Sequence, residues 1–403
     1  MRYFLIAGEA SGDLHASNLM IALKKEDPAA QFGFLGGDLM HAVGGMRNRH
    51  YGKMSVMGVI PVLLNFRTIM RGLEACCSDI RVLLPDAVIL IDFPGFNLTM
   101  AKYIKTHLPY IRVYYYISPK IWAWKKYRIR SIKRYVDQMY CILPFEVDFY
   151  KELNYEVDYV GNPSVDSVSN FRRSEAQEPG DFRKTNGLTD KPILAILPGS
   201  RKAEIRQNLP TMLAVAKRFP DVQPVIAVAP GLTLDDYTKA LGKHRDIPIL
   251  FGQTYPILAA ASYAMVNSGT ATLETALFRV PQVVCYYFAG GKLVNFIFKH
   301  FFHAPYISLV NLIAKSEVVK ELFGANFSFR KVHDELSRII NDEAYRSRML
   351  EGYDRVIEAI GYPGASERAA EMILFSFFDR NLLRSVNYHK PSAFNDDKLR
   401  ASQ

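Results

Sequence analysis

Two segments of this chain open in the same way, and that repetition narrows the folds available to it. FLIAGEASGD (4–13) and ILAILPGSRKAE (193–204) each begin with a short, wholly apolar run. Each then passes through a loop of small residues into a helix-like stretch. A strand covered by helices on both faces reads as a continuous apolar run, because neither side meets water. Behind each opening the alternation continues. Candidate strands fall at 3–7, 32–35, 87–91, 112–117, 138–143 and 157–160, then at 193–197, 222–228, 247–251, 264–267 and 282–287. Helical stretches are expected at 14–25, 66–83, 98–107, 122–135 and 146–153. In the second half they fall at 203–219, 234–241, 256–262, 271–278, 318–322, 332–340, 343–359 and 366–383. The expected fold is α/β: two Rossmann-like halves with parallel sheets, facing each other across a cleft.

The length of 403 residues suits two such units. A polar stretch over 166–191, carrying Pro179, Gly180 and Gly187 and with room for a short helix, marks the boundary. The expected units are 1–168 and 185–362, with a helix beginning at 366 and a frayed end to 403. Fifty Lys and Arg against forty Asp and Glu give a net charge of +10, which favours an anionic partner without naming it. Four cysteines with no C-x-x-C spacing make neither a disulfide framework nor an ordinary zinc site. His15, His41 and His107 show no ligand spacing, and no D-x-D occurs, so no metal is expected. The apolar run at 3–7 is too short for a signal peptide, and no run of 18 apolar residues would cross a membrane.

In sheets of this kind ligands sit beyond the carboxyl ends of the strands. Four loops there carry chemistry. In the first, Glu9 can bind hydroxyls or take a proton, while Ser11 or Asp13 can serve as a helix cap. Asp92 follows the apolar strand 87–91 directly and precedes Pro94. A carboxylate fixed there suits a general base, or it caps a turn. Gly199 and Ser200 free backbone N–H groups at a helix start, and Arg201 adds a bidentate cation; together they suit a diphosphate. Ser268, Gly269 and Thr270 offer the same kind of donors. Glu274, one turn on, can accept ribose hydroxyls or complete a capping box. Walker A, G-x-S-x-G, H-E-x-x-H and dinucleotide fingerprints are all missing.

The stretch 56–71 is apolar with Gly58 and Pro61 inside it and ends in Arg67 and Arg71. It reads as core packing or as an interfacial segment with arginines at lipid phosphates. A second apolar and basic stretch covers 288–305. Trp122, Trp124 and Tyr127 are interleaved with Lys125, Lys126, Arg128, Arg130, Lys133 and Arg134, a pattern open to nucleic acid, anionic lipid or plain solvation.

Taken together, AGEASGD (7–13), VMGVIPVL (56–63), IDFPGFN (91–97), YYISPKIWAWKKYRIRSIKRYVD (115–137), LPFE (143–146), VGNPSVD (160–166), LPGSRKAEI (197–205), SGTATLE (268–274) and YISLVNLIA (306–314) resemble the lipid-A-disaccharide synthase family, inverting glycosyltransferases of GT-B fold. The resemblance spans roughly residues 1 to 325. It implies transfer of 2,3-diacylglucosamine from its UDP donor to 2,3-diacylglucosamine 1-phosphate, forming a β-1,6 disaccharide 1-phosphate and UDP. It places the protein peripherally on the cytoplasmic face of the inner membrane, with no cofactor and no nucleic acid. By matching motifs it makes Asp92 the general base, with Glu9 and Arg201 beside it in catalysis. Gly199, Ser200, Arg201, Ser268, Gly269, Thr270, Glu274 and Asn311 become UDP-site residues. Ile60, Val62, Leu63, Phe66, Ile69 and Met70 become the membrane and acyl-chain contacts. It also implies that the last helix packs back on the first unit. Two positions depart from the family pattern: Gly95 stands where a second Asp is usual, and Val310 where Pro is usual. The competing readings are another UDP-sugar enzyme, such as an epimerase, and a binding module without catalysis.

Overall fold

A computed structural model of the chain describes residues 1–53, 66–174, 179–242, 244–267, 269–287 and 305–378. Two parallel sheets organise it. The first holds β1 (Arg2–Ala7), β2 (Gln31–Gly36), β3 (Met46–His50), β4 (Ala87–Ile91), β5 (Arg112–Tyr116), β6 (Gln138–Cys141) and β7 (Asp158–Tyr159), in the order β3-β2-β1-β4-β5-β6-β7. The second holds β8 (Ile193–Leu197), β9 (Gln223–Val228), β10 (Ile249–Phe251), β11 (Ala261–Val266), β12 (Gln282–Tyr286) and β13 (Glu321–Phe323), in the order β10-β9-β8-β11-β12-β13. Every strand pair in both sheets is parallel.

The burial patterns explain the apolar runs. All five residues of β4 and all five of β8 are buried. Tyr3, Leu5, Ile89 and Ile91 face one core layer of the first sheet, while Phe4, Ile6, Val88 and Leu90 face the other. Period-two alternation places successive side chains in opposite layers, so both layers need apolar residues.

Four expectations change. β3, with the sequence MRNRH, has no apolar run because it is an edge strand with one neighbour; charge at an edge also discourages pairing with a second chain. Val318–Leu322 is not a helix: β13 begins at Glu321 and pairs with β12. The polar stretch 166–191 is largely helical, as the helices Pro163–Ser174 and Pro179–Thr185. The long helix expected from Trp122 starts only at Ile129, after a loop and a short 3-10 turn at Lys126–Arg128. There Lys125 takes a left-handed φ of 58°.

The helix Ala365–Phe378 lies against the helix Ala10–Glu26. Ala369, Ala370 and Ile373 join the same core layer as Tyr3 and Leu5. Asp166 accepts the Gly364 N–H at 2.6 Å and the Ala365 N–H at 3.0 Å, and Arg368 donates to the Val160 carbonyl at 2.8 Å. The VGNPSVD motif therefore anchors the returning chain.

Candidate active site

In each sheet the strand order reverses beside one strand, β1 in the first and β8 in the second. The crevice at such a reversal is where open α/β sheets bind ligands. Ala7 pairs with Ile91 across β1 and β4, and Leu197 with Val266 across β8 and β11. The loops beginning at Gly8 and Asp92 thus emerge side by side, as do those beginning at Pro198 and Asn267.

Gly8 makes the first pair of loops touch. A Cβ on it would stand 2.2 Å from the Phe93 ring, well inside contact distance. Glu9 occupies the N-cap position of the helix Ala10–Glu26 but makes no capping bond. Burial and the neighbouring Asp92 push its carboxyl above the ordinary range; Arg201, Lys120 and the Ser11 hydroxyl pull it back. Asp13 is buried and caps a different element. Its carboxylate accepts the N–H groups of Gly37 (2.7 Å), Leu39 (3.0 Å) and Met40 (3.2 Å), at the start of the helix Asp38–Val43.

Asp92 and Phe93 both hold left-handed backbone, with φ of 43° and 46°. Each such non-glycine residue costs about 1–2 kcal/mol, so the turn must be held by its surroundings. The Asn97 amide donates to the carbonyls of Ile91 (3.1 Å) and Asp92 (2.7 Å), and the Tyr115 hydroxyl donates to the Asp92 carbonyl at 2.5 Å. Burial raises the Asp92 carboxyl above the usual aspartate range, while Lys120 and the Phe93 N–H act the other way.

Sequence reasoning gave Lys120 no role, since it sits between Pro119 and Ile121 without a spacing to mark it. It is exposed, on the loop after β5, the strand next to β4. Its charge acts on Glu9, Asp92, Glu146 and His15. Burial and Lys120 together lower His15 to about 4, leaving a neutral imidazole near the lip at neutral pH. The loop itself is fixed by Glu146, the carboxylate of LPFE. Its Oε1 accepts from the Ser118 hydroxyl (2.6 Å) and Trp122 Nε1 (3.0 Å), and its Oε2 accepts the Leu143 N–H (3.1 Å). Burial nonetheless raises Glu146 to about 7.

On the second sheet, Gly199 has a φ of 127°, a conformation that favours glycine. Ser200 and Arg201 follow, and the helix Lys202–Ala216 begins after them. Glu204, also without a role in the sequence reading, accepts the Ser200 N–H at 3.0 Å and Arg201 Nη1 at 2.9 Å. Asn267 ties the two loops together by donating from its side chain to the Pro198 carbonyl at 2.9 Å. Gly269 and Thr270 open the helix Gly269–Leu277; Ser268 lies outside the described residues. Glu274 accepts the Tyr255 hydroxyl at 2.8 Å. Burial raises its carboxyl and Tyr255 lowers it.

Asn311 is placed differently from a ligand-facing side chain. It is fully buried. Its oxygen accepts the Val318 and Val319 N–H groups, and its amide donates to the Val319 carbonyl and to Glu321. Both ends are committed to the turn between the helix Leu309–Ala314 and β13.

Ile60, Val62 and Leu63 lie outside the described residues, as does 288–304. Phe66 and Ile69 belong to the helix Phe66–Leu83, and Met70 on the same helix is 38% exposed. Trp122 is tied down by Glu146, but Trp124 and Tyr127 are 48% and 67% exposed, with Lys125 Nζ 4.0 Å from the Trp124 ring centre. No helix among the described residues is long and apolar enough to cross a membrane.

A family model described as Lipid-A-disaccharide synthetase matches residues 3–372. The chain belongs to the lipid-A-disaccharide synthase family. It is therefore a glycosyltransferase of lipid A biosynthesis. The lipid-A-disaccharide synthase of Myxococcus xanthus is 38% identical over 379 residues, covering 93% of this chain and 97% of the relative. That of Syntrophus aciditrophicus is 36% identical over 382 residues, covering 92% and 96%. Among solved structures, a UDP-GlcNAc 2-epimerase from Neisseria meningitidis bound to UDP-GlcNAc superposes with a TM-score of 0.68 at 11% identity, covering 93% of this chain and all of that one. The calicheamicin glycosyltransferase CalG4 does so at 0.56 and 15%, covering 94% and 99%. The chain's fold is thus GT-B, shared with this glycosyltransferase and this epimerase.

Proposed function

We propose that the protein transfers 2,3-diacylglucosamine from UDP to the 6-hydroxyl of 2,3-diacylglucosamine 1-phosphate by a single inverting displacement. The observation that carries this reading is that Glu9 feels both Asp92 of its own half and Arg201 of the other. The carboxylates of the first sheet's loops and the Arg201 loop, proposed here to take the diphosphate, thus lie within electrostatic reach of one another. An inverting transfer needs a base at the acceptor hydroxyl and stabilisation of the departing diphosphate. Asp92 takes the proton, with Glu9 beside it and Lys120 favouring the ionised form. Gly199, Ser200, Arg201, Ser268, Gly269 and Thr270 receive the diphosphate, aided by the positive ends of two helices. Glu274 accepts the ribose hydroxyls. Asn311 contributes by fixing the turn beside this site rather than by direct contact.

In this reading the unit 1–168 binds the acceptor and the unit 185–362 binds the donor. Ile60, Val62, Leu63, Phe66, Ile69 and Met70 seat the acyl chains against the cytoplasmic face of the inner membrane. The likeness to a UDP-GlcNAc-bound fold supports the donor class, and the names of the relatives support the product.

The test is UDP release by purified protein in detergent micelles, given UDP-2,3-diacylglucosamine with and without 2,3-diacylglucosamine 1-phosphate. Acceptor-dependent release with a disaccharide 1-phosphate by mass is expected. Equal release without acceptor would make the reaction a hydrolysis. Release only with a water-soluble acceptor would assign a different transferase.

A further inference from the structure

Glu204 is the third residue of its helix, and its carboxylate reaches back over the preceding loop. Oε2 accepts the Ser200 N–H and Oε1 accepts the Arg201 guanidinium. A Cβ on Gly199 would lie 2.6 Å from Oε2, so the carboxylate rests on the open face of the glycine. Ser200 N–H and Arg201 are among the donors assigned above to the diphosphate. Carboxylate and phosphate oxygens are acceptors of the same kind and seek the same charge-assisted bonds. Two anions cannot share these donors without strong repulsion.

We propose that Glu204 is an internal competitor of the nucleotide diphosphate: its carboxylate must swing off Ser200 and Arg201 for UDP-sugar to bind, and its return helps expel UDP. The inference rests on the assignment of residues 199–201 to the diphosphate. The side chain is suited to the exchange. It is part-exposed, so water takes over its hydrogen bonds when it leaves. Holding the donors in place, it also keeps the loop in the shape the diphosphate needs. Part of the binding energy is given up in displacing it, and UDP leaves faster in return. Release of product limits turnover in many enzymes.

A glutamate at this position can also be read as a simple helix-terminus device. The two readings differ in sign. If Glu204 only braces the loop, weakening its grip loosens the cradle and UDP binds less well. If it competes, removing its charge makes UDP bind better.

The experiment titrates wild type and Glu204→Gln with UDP and with uridine by calorimetry, alongside thermal melting. Glutamine keeps an acceptor for the Ser200 N–H but no charge. The expected result is UDP binding tighter by roughly 3- to 10-fold, unchanged uridine binding, and product inhibition by UDP stronger in proportion. Unchanged or weaker UDP binding by a variant with wild-type melting overturns the proposal. Should Glu204→Gln fail to fold, Glu204→Ala, which also removes the charge from Ser200 and Arg201, must show the same tightening. A wild-type protein with no affinity for UDP overturns the diphosphate assignment itself, and this inference with it.

Discussion

The Asn97 side chain holds Asp92 by its backbone, donating to the carbonyls of Ile91 and Asp92 from one amide. The carboxylate assigned as base is thus positioned by a turn that is strained at two consecutive residues and clamped from below. Replacing Asn97 by Ala removes that amide from two buried acceptors. It should cost about 1–3 kcal/mol of stability, read by thermal melting. Turnover should fall more than acceptor KM rises, because the base loses its aim while substrate contacts remain.

Asp92→Asn should keep UDP binding and lose about 10²- to 10⁴-fold in turnover. In the wild type the base works only when ionised, so kcat/KM falls as pH drops through the Asp92 pKa. Burial raises that pKa, which places the acid limb above that of an ordinary aspartate. Lys120 pulls it down, so Lys120→Met should move the limb to higher pH. A limb that stays put in Lys120→Met would remove the lysine from the electrostatics of the base.

Glu146 gives a pH-dependent stability of known sign. Its folded pKa of about 7 lies above the ordinary 4.5, so between those values the folded state binds more protons than the unfolded one. The contribution is complete below about 4.5 and is lost as pH rises through about 7. Glu146→Gln cannot titrate. The wild-type advantage over it, measured by denaturant unfolding, should therefore be largest near pH 5 and shrink towards pH 8.

Tyr255→Phe removes the hydroxyl that donates to Glu274 and lets the carboxyl rise further towards its neutral form. UDP affinity should fall roughly 3- to 10-fold with a stability loss of about 1 kcal/mol. Calorimetric titration with UDP checks the first number and melting the second. Full UDP affinity in Tyr255→Phe would detach Glu274 from the ribose.

Replacing Ile60, Val62, Leu63, Phe66 and Ile69 with Ser should release the protein from anionic vesicles and leave its melting temperature unchanged. Undiminished co-sedimentation would move the membrane contact elsewhere, with Trp124 and Tyr127 the exposed aromatics to test next.

Much of this was legible in the chain, for physical reasons. Strands buried on both faces advertise themselves as apolar runs, and β4 and β8 lie where those runs are. Asp92 could be picked out because it follows such a strand directly, and Arg201 because the small-residue loop Pro198-Gly199-Ser200 carries it from the next such strand to a helix start. What stayed hidden depends on contacts distant in sequence. Nothing local distinguishes Asp13 as the cap of another helix, Lys120 as the cation beside two carboxylates, or Glu204 as the partner of Arg201. β3 escaped because an edge strand needs no apolar run. Asn311 could be matched to a motif, but only its hydrogen bonds reveal that it faces inward.

The return of the helix Ala365–Phe378 to the helix Ala10–Glu26 bears on how the protein is made. One face of the first sheet is finished by Ala369, Ala370 and Ile373, and the hydroxyl of Ser376 meets that of Tyr114 at 2.8 Å. During synthesis these residues leave the ribosome after every strand of both sheets. The half of the molecule begun first is completed last, and until then its newborn core is a natural client for chaperones.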